Sequence, residues 1–237
     1  MCRLFGAISP GGVDAETPFF KAAHPFKDFS ETNRDGWGMG WYERRKPRIF
    51  KEGADEMKKY HFERVRGIRS PVMIAHVRRI QPGENGRRMN IDAQPFSCGD
   101  YIFAHNGDAD WKNIASRLAP ETKKRLTSTN ESEMFMMLIM QFVEGGMETV
   151  EAIGTAVRAA KETRYTALNF LLSDCKHIYA YRDASCNKGW FSLCWTRRDG
   201  EIWLSSEPIM DGKWNDLEMG ELVRAGMDLS VESFRLD

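Results

Sequence analysis

The chain opens with Met1-Cys2-Arg3-Leu4-Phe5-Gly6-Ala7-Ile8. Arg3–Ile8 predicts a first β-strand, and Cys2 stands directly before it. Initiator methionine is generally removed when the next residue is small, so we expect Cys2 to become the first residue. Its free α-amine, with a reference pKa of about 8, could then take the proton of its thiol, with a reference pKa of about 8.5, and return it to a leaving group. By position alone, a cysteine buried in the first strand without a chemical role is the more frequent case.

The rest of the chain predicts both strands and helices. Short apolar or alternating runs, which are typical of strands, lie at Arg3–Ile8, Trp37–Tyr42, Val72–Val77, Tyr101–Ala104, Ala167–Ser173, His177–Tyr181, Trp190–Trp195 and Glu201–Ser205. Helices are predicted at Ala54–Arg66, Ala109–Leu118, Glu131–Val143 and Glu148–Lys161. Because strands come first, helices gather in the middle and strands return, the order favours an α+β fold with helices packed on antiparallel sheets. No Pro-, Gly- or Ser-rich linker divides residues 1–237, so we expect a single domain.

Composition excludes several classes of protein. The 34 basic and 34 acidic side chains cancel, so no net field draws the protein to nucleic acid or to an anionic membrane. The five cysteines form no CxxC pair, and their odd number favours reduced thiols in the cytosol over a disulfide framework. The sequence has neither the apolar segment of a secretory signal nor a run long enough to span a membrane. We therefore expect a cytoplasmic protein.

The stretch after Asn130 has the strongest local signal for a helix. Asn130 can cap its N-terminus, and Glu133, three residues later, can complete a capping box. Met134–Met140 is apolar on all sides, which indicates burial between a sheet and other helices. Glu131 falls in the first turn, where the helix dipole favours a carboxylate. The same carboxylate is a candidate ligand for the ammonium group of a substrate.

The tripeptide His105-Asn106-Gly107 closes the predicted strand Tyr101–Ala104. Glycine allows a backbone N–H to face outward at a turn, and the Asn106 side-chain amide offers a second donor beside it. Two neutral donors that converge on one point suit an oxyanion, and the adjacent His105 is a candidate substrate-binding residue. Asn-Gly is also the commonest signal for a two-residue hairpin, so the spacing alone leaves a plain turn as the alternative.

Two more segments contain candidate substrate-binding residues. Arg78 ends the strand Val72–Val77 and opens the loop Arg79–Asn90. A guanidinium there can hold the α-carboxylate of an amino acid with two parallel hydrogen bonds, although a solvated arginine is the alternative. The segment Asp35-Gly36-Trp37-Gly38-Met39-Gly40-Trp41, here called the Trp-Gly strand, has glycines at alternate positions. They leave one face of the strand open to a ligand or to another backbone, which makes Trp37 and Gly38 candidates. The glycine spacing is not that of a phosphate-binding loop.

Other chemistries have less support. The five histidines never pair at metal-ligand spacing, so we expect neither a metal site nor a cofactor. A papain-like pair of Cys98 with His76 or His105 stays open from the sequence. Cys98 lies in a Ser-Cys-Gly-Asp turn with no helix start behind it, which weighs against that pair.

The order of these motifs resembles the class II glutamine amidotransferases, whose nucleophile is an N-terminal cysteine. The matching segments are Met-Cys-Arg-Leu-Phe-Gly, Asp-Gly-Trp-Gly-Met-Gly-Trp-Tyr, His-Val-Arg, Gln-Pro-Phe, Phe-Ala-His-Asn-Gly, Asn-Glu-Ser-Glu, Leu-Asn-Phe-Leu-Leu-Ser-Asp and Ser-Ser-Glu-Pro. The resemblance covers Cys2–Pro208. It is strongest to the stand-alone proteins of this class, among them the γ-glutamyl hydrolase of the ergothioneine pathway.

The resemblance implies a four-layer αββα sandwich of the N-terminal-nucleophile hydrolase type, with the nucleophile at the end of a central strand. It assigns Cys2 as the nucleophile and its α-amine as the base. It makes Asn106 and the Gly107 N–H the oxyanion hole, and Arg78 the ligand of the glutamine α-carboxylate. Glu131 stands where the family usually has aspartate, so its role as the ammonium ligand is the least direct. The segment between Arg78 and Gln94 also matches the family pattern less well, and its loop would shape the acceptor side of the pocket.

Three functions follow as hypotheses. The first is hydrolysis of glutamine through a Cys2 thioester, with ammonia passed to a separate synthase, since the chain shows no second domain to consume it. The second is a free-standing hydrolase that cuts a γ-glutamyl amide in a larger metabolite. The third is a catalytically silent binding protein on the same scaffold, which the joint presence of Cys2, Arg78 and Asn106-Gly107 opposes. The first two share a γ-glutamyl head group, so the sequence does not separate them.

Overall fold

Two antiparallel sheets form the centre of the protein. The computed structural model describes residues 2–54, 60–80 and 90–236, without the side chains of Asn90 and Trp111. Its strands are β1 (Arg3–Asp14), β2 (Gly36–Glu43), β3 (Lys46–Gly53), β4 (Arg69–Val77), β5 (Phe96–Cys98), β6 (Tyr101–Asn106), β7 (Asn169–Ser173), β8 (His177–Arg182), β9 (Cys194–Arg198), β10 (Glu201–Ser205), β11 (Asn215–Asp216), β12 (Glu221–Gly226) and β13 (Val231–Arg235). The predicted α+β class is confirmed.

The sheet order places β1 at the centre. One sheet has the order β11-β9-β10-β1-β4-β2-β3, and the other has the order β13-β12-β8-β7-β6-β5. β1 pairs with β10 on one side and with β4 on the other, where Arg3 lies opposite Val77. Cys2, which precedes β1, and Arg78, which follows β4, are therefore neighbours where these two strands begin and end.

The alternation of strand residues builds a core on each face of each sheet. Leu4 and Ile8 of β1 meet Ile102 and Ala104 of β6 in the layer between the sheets, and all four are fully buried. Their neighbours in sequence point the other way, with Phe103 of β6 facing the helices. This arrangement explains why the strands of both sheets are apolar on two faces.

The helices cover the outer face of the six-stranded sheet. They are α1 (Trp111–Ser116), α2 (Pro120–Lys123), α3 (Glu131–Glu144) and α4 (Thr149–Lys161). Residues 135–140 of α3 are all buried, so the prediction of a helix enclosed on several sides is confirmed. Asn130 caps α3 by accepting a hydrogen bond from the Ser132 N–H at 2.8 Å. The predicted capping box is wrong, because the Glu133 carboxylate instead accepts the N–H and hydroxyl groups of Thr127 and Ser128.

The outer face of the seven-stranded sheet is covered by short helical turns. A π-turn spans Thr17–Lys21, and 3₁₀ turns span Phe26–Glu31, Phe62–Val65 and Asn90–Asp92. Phe19, Phe26 and Phe62 from these turns pack on Phe5 and Trp37 of the sheet. These turns form the fourth layer of the αββα sandwich.

Two predicted elements differ from the structure. The helix predicted at Ala54–Arg66 is a 3₁₀ turn at Phe62–Val65, and residues 55–59 lie outside the described residues. Phe62 and Val65 stand three residues apart and both enter the core, which a 3₁₀ turn satisfies. The strand predicted at Trp190–Trp195 begins only at Cys194. The Phe191 carbonyl is held by the side chains of Asn169 and Arg182, which replace a strand partner there.

Candidate active site

Cys2 lies directly before the central strand β1 and beside the end of β4. Its Sγ accepts the backbone N–H of Arg79 at 3.3 Å, and it lies 3.6 Å from the Arg79 carbonyl oxygen. The side chain is partly exposed. Met1, whose removal we expect, lies outside the described residues.

The segment Ser205-Ser206-Glu207 holds the backbone around Cys2. Ser206 binds Leu4 twice, with its Oγ accepting the Leu4 N–H at 2.9 Å and its own N–H donating to the Leu4 carbonyl at 3.0 Å. The Arg3 guanidinium forms an ion pair with Glu207 and donates to the Cys2 carbonyl at 3.1 Å. The sequence resemblance included this segment without a role, and the structure shows that it fixes the position of the thiol-bearing residue.

Asn106 and Gly107 end β6 beside Cys2. Asn106 is 2% exposed, and in the described part of the chain its Nδ2 has no hydrogen-bond acceptor. Gly107 has φ +151°, and a Cβ there would lie 1.9 Å from the Ala167 carbonyl oxygen, so only glycine fits. After β6 the chain runs through Asp108 to α1 and, over the described residues 107–110, forms no paired strand, so the alternative of a two-residue hairpin is wrong. Asn106 Nδ2, buried and without an acceptor among the described residues, is therefore a donor available to a bound group.

A first cavity of about 330 Å³ opens beside the Cys2 thiol and is rich in charge. Its charged and nucleophilic lining residues are Cys2, Arg78, Arg79, Asp92, Asp108 and Glu131. Two cations and three carboxylates around one small space match a zwitterionic ligand, which needs both a carboxylate ligand and an ammonium ligand.

Arg78 is positioned by the end of β2. Its N–H donates to the Gly36 carbonyl at 2.7 Å, and its carbonyl accepts the Asp35 N–H at 3.1 Å. The Asp35 carboxylate then accepts the Ile80 N–H at 2.8 Å. These bonds tie the first three residues after β4 to the Asp-Gly that begins the Trp-Gly strand. Residues 81–89 of the predicted loop Arg79–Asn90 lie outside the described residues.

His105 also lines the first cavity. It is 1% exposed, and burial lowers the pKa of His105 to about 4, so its ring is neutral near pH 7. The backbone N–H of His105 donates to Gln94 Oε1 at 2.6 Å, and its ring Nδ1 lies 3.1 Å from Ser132 Oγ. Gln94 Nε2 donates to the His105 carbonyl at 3.1 Å and to Ser132 Oγ at 3.2 Å. This network joins the end of β6 to the first turn of α3, which carries Glu131.

Asp92 is a cavity residue that the sequence analysis missed. It is 2% exposed, and within the described residues its Oδ2 has no hydrogen-bond partner. Its backbone carbonyl accepts Asn130 Nδ2 at 2.8 Å, which brings it to the N-terminus of α3. A buried carboxylate oxygen without a partner is costly unless a ligand supplies one. No local pattern in the sequence signals this residue, because its neighbour is 38 residues away.

A second cavity of about 250 Å³ lies on the other side of Cys2. It shares Cys2, Arg79, Gly107 and Asp108 with the first cavity. Its remaining lining residues are Asn106, Thr166, Cys186, Asn187, Trp190 and Phe191. The thiol and Gly107 therefore stand where a charged cavity meets a neutral, more aromatic one.

Trp37 and Gly38 were predicted to bind substrate, and the structure corrects this. Neither residue lines the two cavities described above. Trp37 is fully buried in the outer core, with its Nε1 donating to Glu52 at 2.6 Å. A Cβ on Gly38 would lie 2.4 Å from the Gln94 carbonyl oxygen, so the open face of this strand admits the Gln94 backbone.

The papain-like pairing of Cys98 is also wrong. The Cys98 Sγ accepts a guanidinium hydrogen bond from Arg125 at 2.7 Å and lies at the far end of β6 from His105. His76 belongs to the other sheet. Burial and the neighbouring Arg78 charge lower the pKa of His76 to about 3, and neither ring nitrogen has a hydrogen-bond partner among the described residues. Those residues also contain no His, Cys, Asp and Glu cluster able to hold a metal ion, and no helix in the described part has the length and apolarity to cross a bilayer.

Comparison with solved structures supports the fold. A glutamine aminotransferase class-II domain protein from Silicibacter pomeroyi superposes with a TM-score of 0.70 at 18% identity, covering 100% of both chains. Glutamine phosphoribosylpyrophosphate amidotransferase from B. subtilis superposes with a TM-score of 0.71 at 16% identity, covering 100% of this chain and 49% of that one. At these identities the likeness shows a shared fold, the N-terminal-nucleophile hydrolase fold of the glutamine amidotransferases.

Sequence comparison identifies the family. An uncharacterised protein of Methanocaldococcus jannaschii is 26% identical over 192 residues, which cover 77% of this chain. The match spans about half of that relative, 51% of its length. The family profile described as glutamine amidotransferases class-II matches residues 1–201, most of the chain. The chain belongs to the class II glutamine amidotransferases.

Proposed function

We propose that the protein hydrolyses the side-chain amide of glutamine, or of another γ-glutamyl amide, through a thioester on Cys2. The observation that carries this proposal is the position of the thiol, which lines both a cavity suited to a zwitterion and the cavity of Asn106, whose buried Nδ2 has no acceptor within the described residues. Removal of Met1 is part of the proposal, because it frees the α-amine that serves as the base.

The reaction has two halves. The α-amine takes the thiol proton, and the thiolate attacks the amide carbonyl to give a tetrahedral oxyanion that accepts hydrogen bonds from Asn106 Nδ2 and the Gly107 N–H. The C–N bond then breaks, and the leaving amine takes the proton from the α-ammonium group. Water attacks the resulting thioester with the same amine as its base, which releases glutamate and regenerates the thiol.

The charged cavity would bind the amino-acid end of the substrate. Arg78 is suited to the α-carboxylate, because a guanidinium can grip both oxygens at once. Glu131, in the first turn of α3, is suited to the α-ammonium group. Asp92 adds a second carboxylate, whose Oδ2 lacks a partner within the described residues.

Covalent labelling tests this assignment. We expect intact mass spectrometry of the purified protein to show a chain without Met1, which gains one adduct when treated with a diazoketone analogue of glutamine. Cys2→Ala should gain none. Cys186→Ser is the matched control, because Cys186 is an exposed thiol lining the second cavity, and this variant should be labelled as the wild type is. A wild-type protein that retains its fold and lacks Met1, yet gains no adduct, would support the silent binding protein instead.

The fate of the released ammonia separates two versions of the function. Transfer to a synthase requires a second protein or domain that takes the ammonia directly, whereas a free-standing hydrolase releases its product to solvent. We favour the hydrolase, because the second cavity offers more space than ammonia requires.

A further inference from the structure

We propose that the second cavity is a leaving-group subsite for an amine that carries an uncharged aromatic ring on a short linker, so that the preferred substrates are γ-glutamyl amides of such amines. This inference rests on the proposed hydrolysis at Cys2. It adds a substrate class and a specificity-determining residue, Trp190, to that activity.

The geometry of an amide determines which cavity the leaving group enters. The carbonyl carbon must lie at the Cys2 thiol, and its two substituents diverge from that carbon in the plane of the amide. The glutamyl chain runs into the charged cavity towards Arg78, so the substituent on nitrogen must leave on the other side. The second cavity occupies that side and shares Cys2 and Gly107 with the first.

The volume of the cavity exceeds what ammonia needs. It measures about 250 Å³, whereas a water-sized molecule takes about 30 Å³ of liquid and a dry cavity of about 150 Å³ accepts benzene. A one-ring amine with a short linker therefore fits this space. Ammonia as the leaving group would leave most of it unfilled.

The lining of the cavity selects a flat, apolar group. Trp190 is 70% exposed, the more exposed of the two large hydrophobic side chains at the surface of the described residues, and Phe191 beside it is 5% exposed. An indole left open to solvent loses the gain of burial, about 25 cal/mol per Å² of apolar surface. A bound ring would recover that gain by stacking, in the offset or edge-on geometries that aromatic pairs prefer.

The charge distribution argues against a charged leaving group. The two charged residues of the cavity lining, Arg79 and Asp108, stand at the junction shared with the first cavity. The part beyond them is lined by neutral side chains, including Thr166, Asn187 and Trp190. A γ-glutamyl dipeptide would place its terminal carboxylate beyond Arg79, among these neutral side chains, which is unfavourable.

The loop that carries Trp190 is held in place, so its exposure is built into the fold. Asn169 Nδ2 and Arg182 Nε donate to the Phe191 carbonyl at 3.1 and 3.0 Å. Arg182 also donates to the Lys188 carbonyl at 3.3 Å, and the backbone N–H of Trp190 donates to the Asn187 carbonyl at 2.8 Å. A cavity wall fixed before the ligand arrives spends little free energy on ordering.

A matched set of amides tests the subsite. The set is L-glutamine, γ-glutamyl ethylamide, γ-glutamyl benzylamide and γ-glutamylglycine, with glutamate release as the common readout. We expect kcat/KM for the benzylamide to exceed that for the ethylamide by about 10- to 100-fold, and γ-glutamylglycine to be the poorest of the three substituted amides. Trp190→Ala should remove most of the benzylamide preference, measured as the ratio of kcat/KM for the benzylamide to that for the ethylamide. Trp190→Phe should retain part of the preference.

The control variant is Ile91→Ala, which truncates the other exposed hydrophobic side chain, 42% exposed, and should leave all ratios unchanged. If the wild type cleaves none of the four amides, the proposed hydrolysis itself fails. If it cleaves glutamine but handles the benzylamide no better than the ethylamide, the subsite is wrong while the hydrolysis stands. The subsite is equally wrong if Trp190→Ala leaves the benzylamide preference intact.

Discussion

Replacing Asn106 with alanine should separate activity from stability. Asn106 lies opposite Asn169 in the β6–β7 ladder, so the two asparagines occupy matched positions on neighbouring strands. Asn169 is fully satisfied, because its amide donates to the carbonyls of Phe191 and Ser192 and accepts the Asp183 N–H at 3.0 Å. The buried Nδ2 of Asn106 has no acceptor within the described residues. The same substitution at the two sites should therefore have opposite consequences.

The magnitudes follow from these contacts. Loss of one oxyanion donor costs about 10²–10³ in kcat, or roughly 2.7–4 kcal/mol in the transition state. Asn106→Ala removes a buried donor that makes no hydrogen bond within the described residues. We therefore expect the free energy of unfolding of this variant to stay within about 1 kcal/mol of the wild type. Asn169→Ala leaves the Asp183 N–H and the Ser192 carbonyl without their partner, while Arg182 still donates to the Phe191 carbonyl, and it should cost about 1–3 kcal/mol. For a chain of this size that is a fall in Tm of roughly 2–4 °C per kcal/mol.

Two measurements check this prediction. Steady-state release of glutamate reports kcat, and thermal or urea unfolding reports stability for both variants and the wild type. Glutaminase turnover of Asn106→Ala within twofold of the wild type would refute the assignment of the oxyanion hole. A loss of stability as large as that of Asn169→Ala would show that Asn106 is a structural residue instead.

Three further predictions concern the residues around this site. Gly107→Ala should destabilise the protein by at least about 3 kcal/mol and abolish turnover, because its Cβ would meet the Ala167 carbonyl at 1.9 Å; urea unfolding and glutamate release measure both effects. Arg78→Lys should raise KM for glutamine about 10- to 100-fold with little change in kcat, since lysine cannot grip a carboxylate bidentately; an unchanged KM would remove Arg78 from the carboxylate site. The pKa values of His76 and His105, lowered to about 3 and 4, lie below the unfolded value of about 6.5, so their neutral burial stabilises the fold above that pH and loses its effect as pH falls. Urea unfolding at pH 7 and pH 5 should therefore differ by about 2 kcal/mol per histidine, and a flat profile would contradict their burial as neutral rings.

Local sequence patterns were sufficient where the structure depends on near neighbours. Residues 131–143 predicted α3 to within one residue, because its cap and its apolar run both lie inside the segment. The strands around Cys2 and Arg78 were likewise predicted by alternation and apolar runs, and the motif order indicated the family that the profile match then showed. The same reasoning failed for the capping role of Glu133, whose partners lie upstream of the cap.

Tertiary structure decided which of the candidate residues reach the site. Trp37 and Gly38 belong to a motif that the sequence singled out, yet sheet pairing turns them towards the outer core and the Gln94 backbone. Asp92 and Trp190 carry no local signal, and the fold brings them to cavities that adjoin the thiol.

The sequence by itself therefore determined the α+β class and the strands next to Cys2, Arg78 and Asn106. It also determined the chemistry that those residues suggest. Only the tertiary structure decided that Cys2 stands between two cavities of different character. The physical reason is that the walls of both cavities are made by residues far apart in the chain, such as Gln94 with Ser132 in the first and Gly107 with Phe191 in the second. Periodicity records whether a residue is buried, but the pairing of strands decides which residues it is buried against.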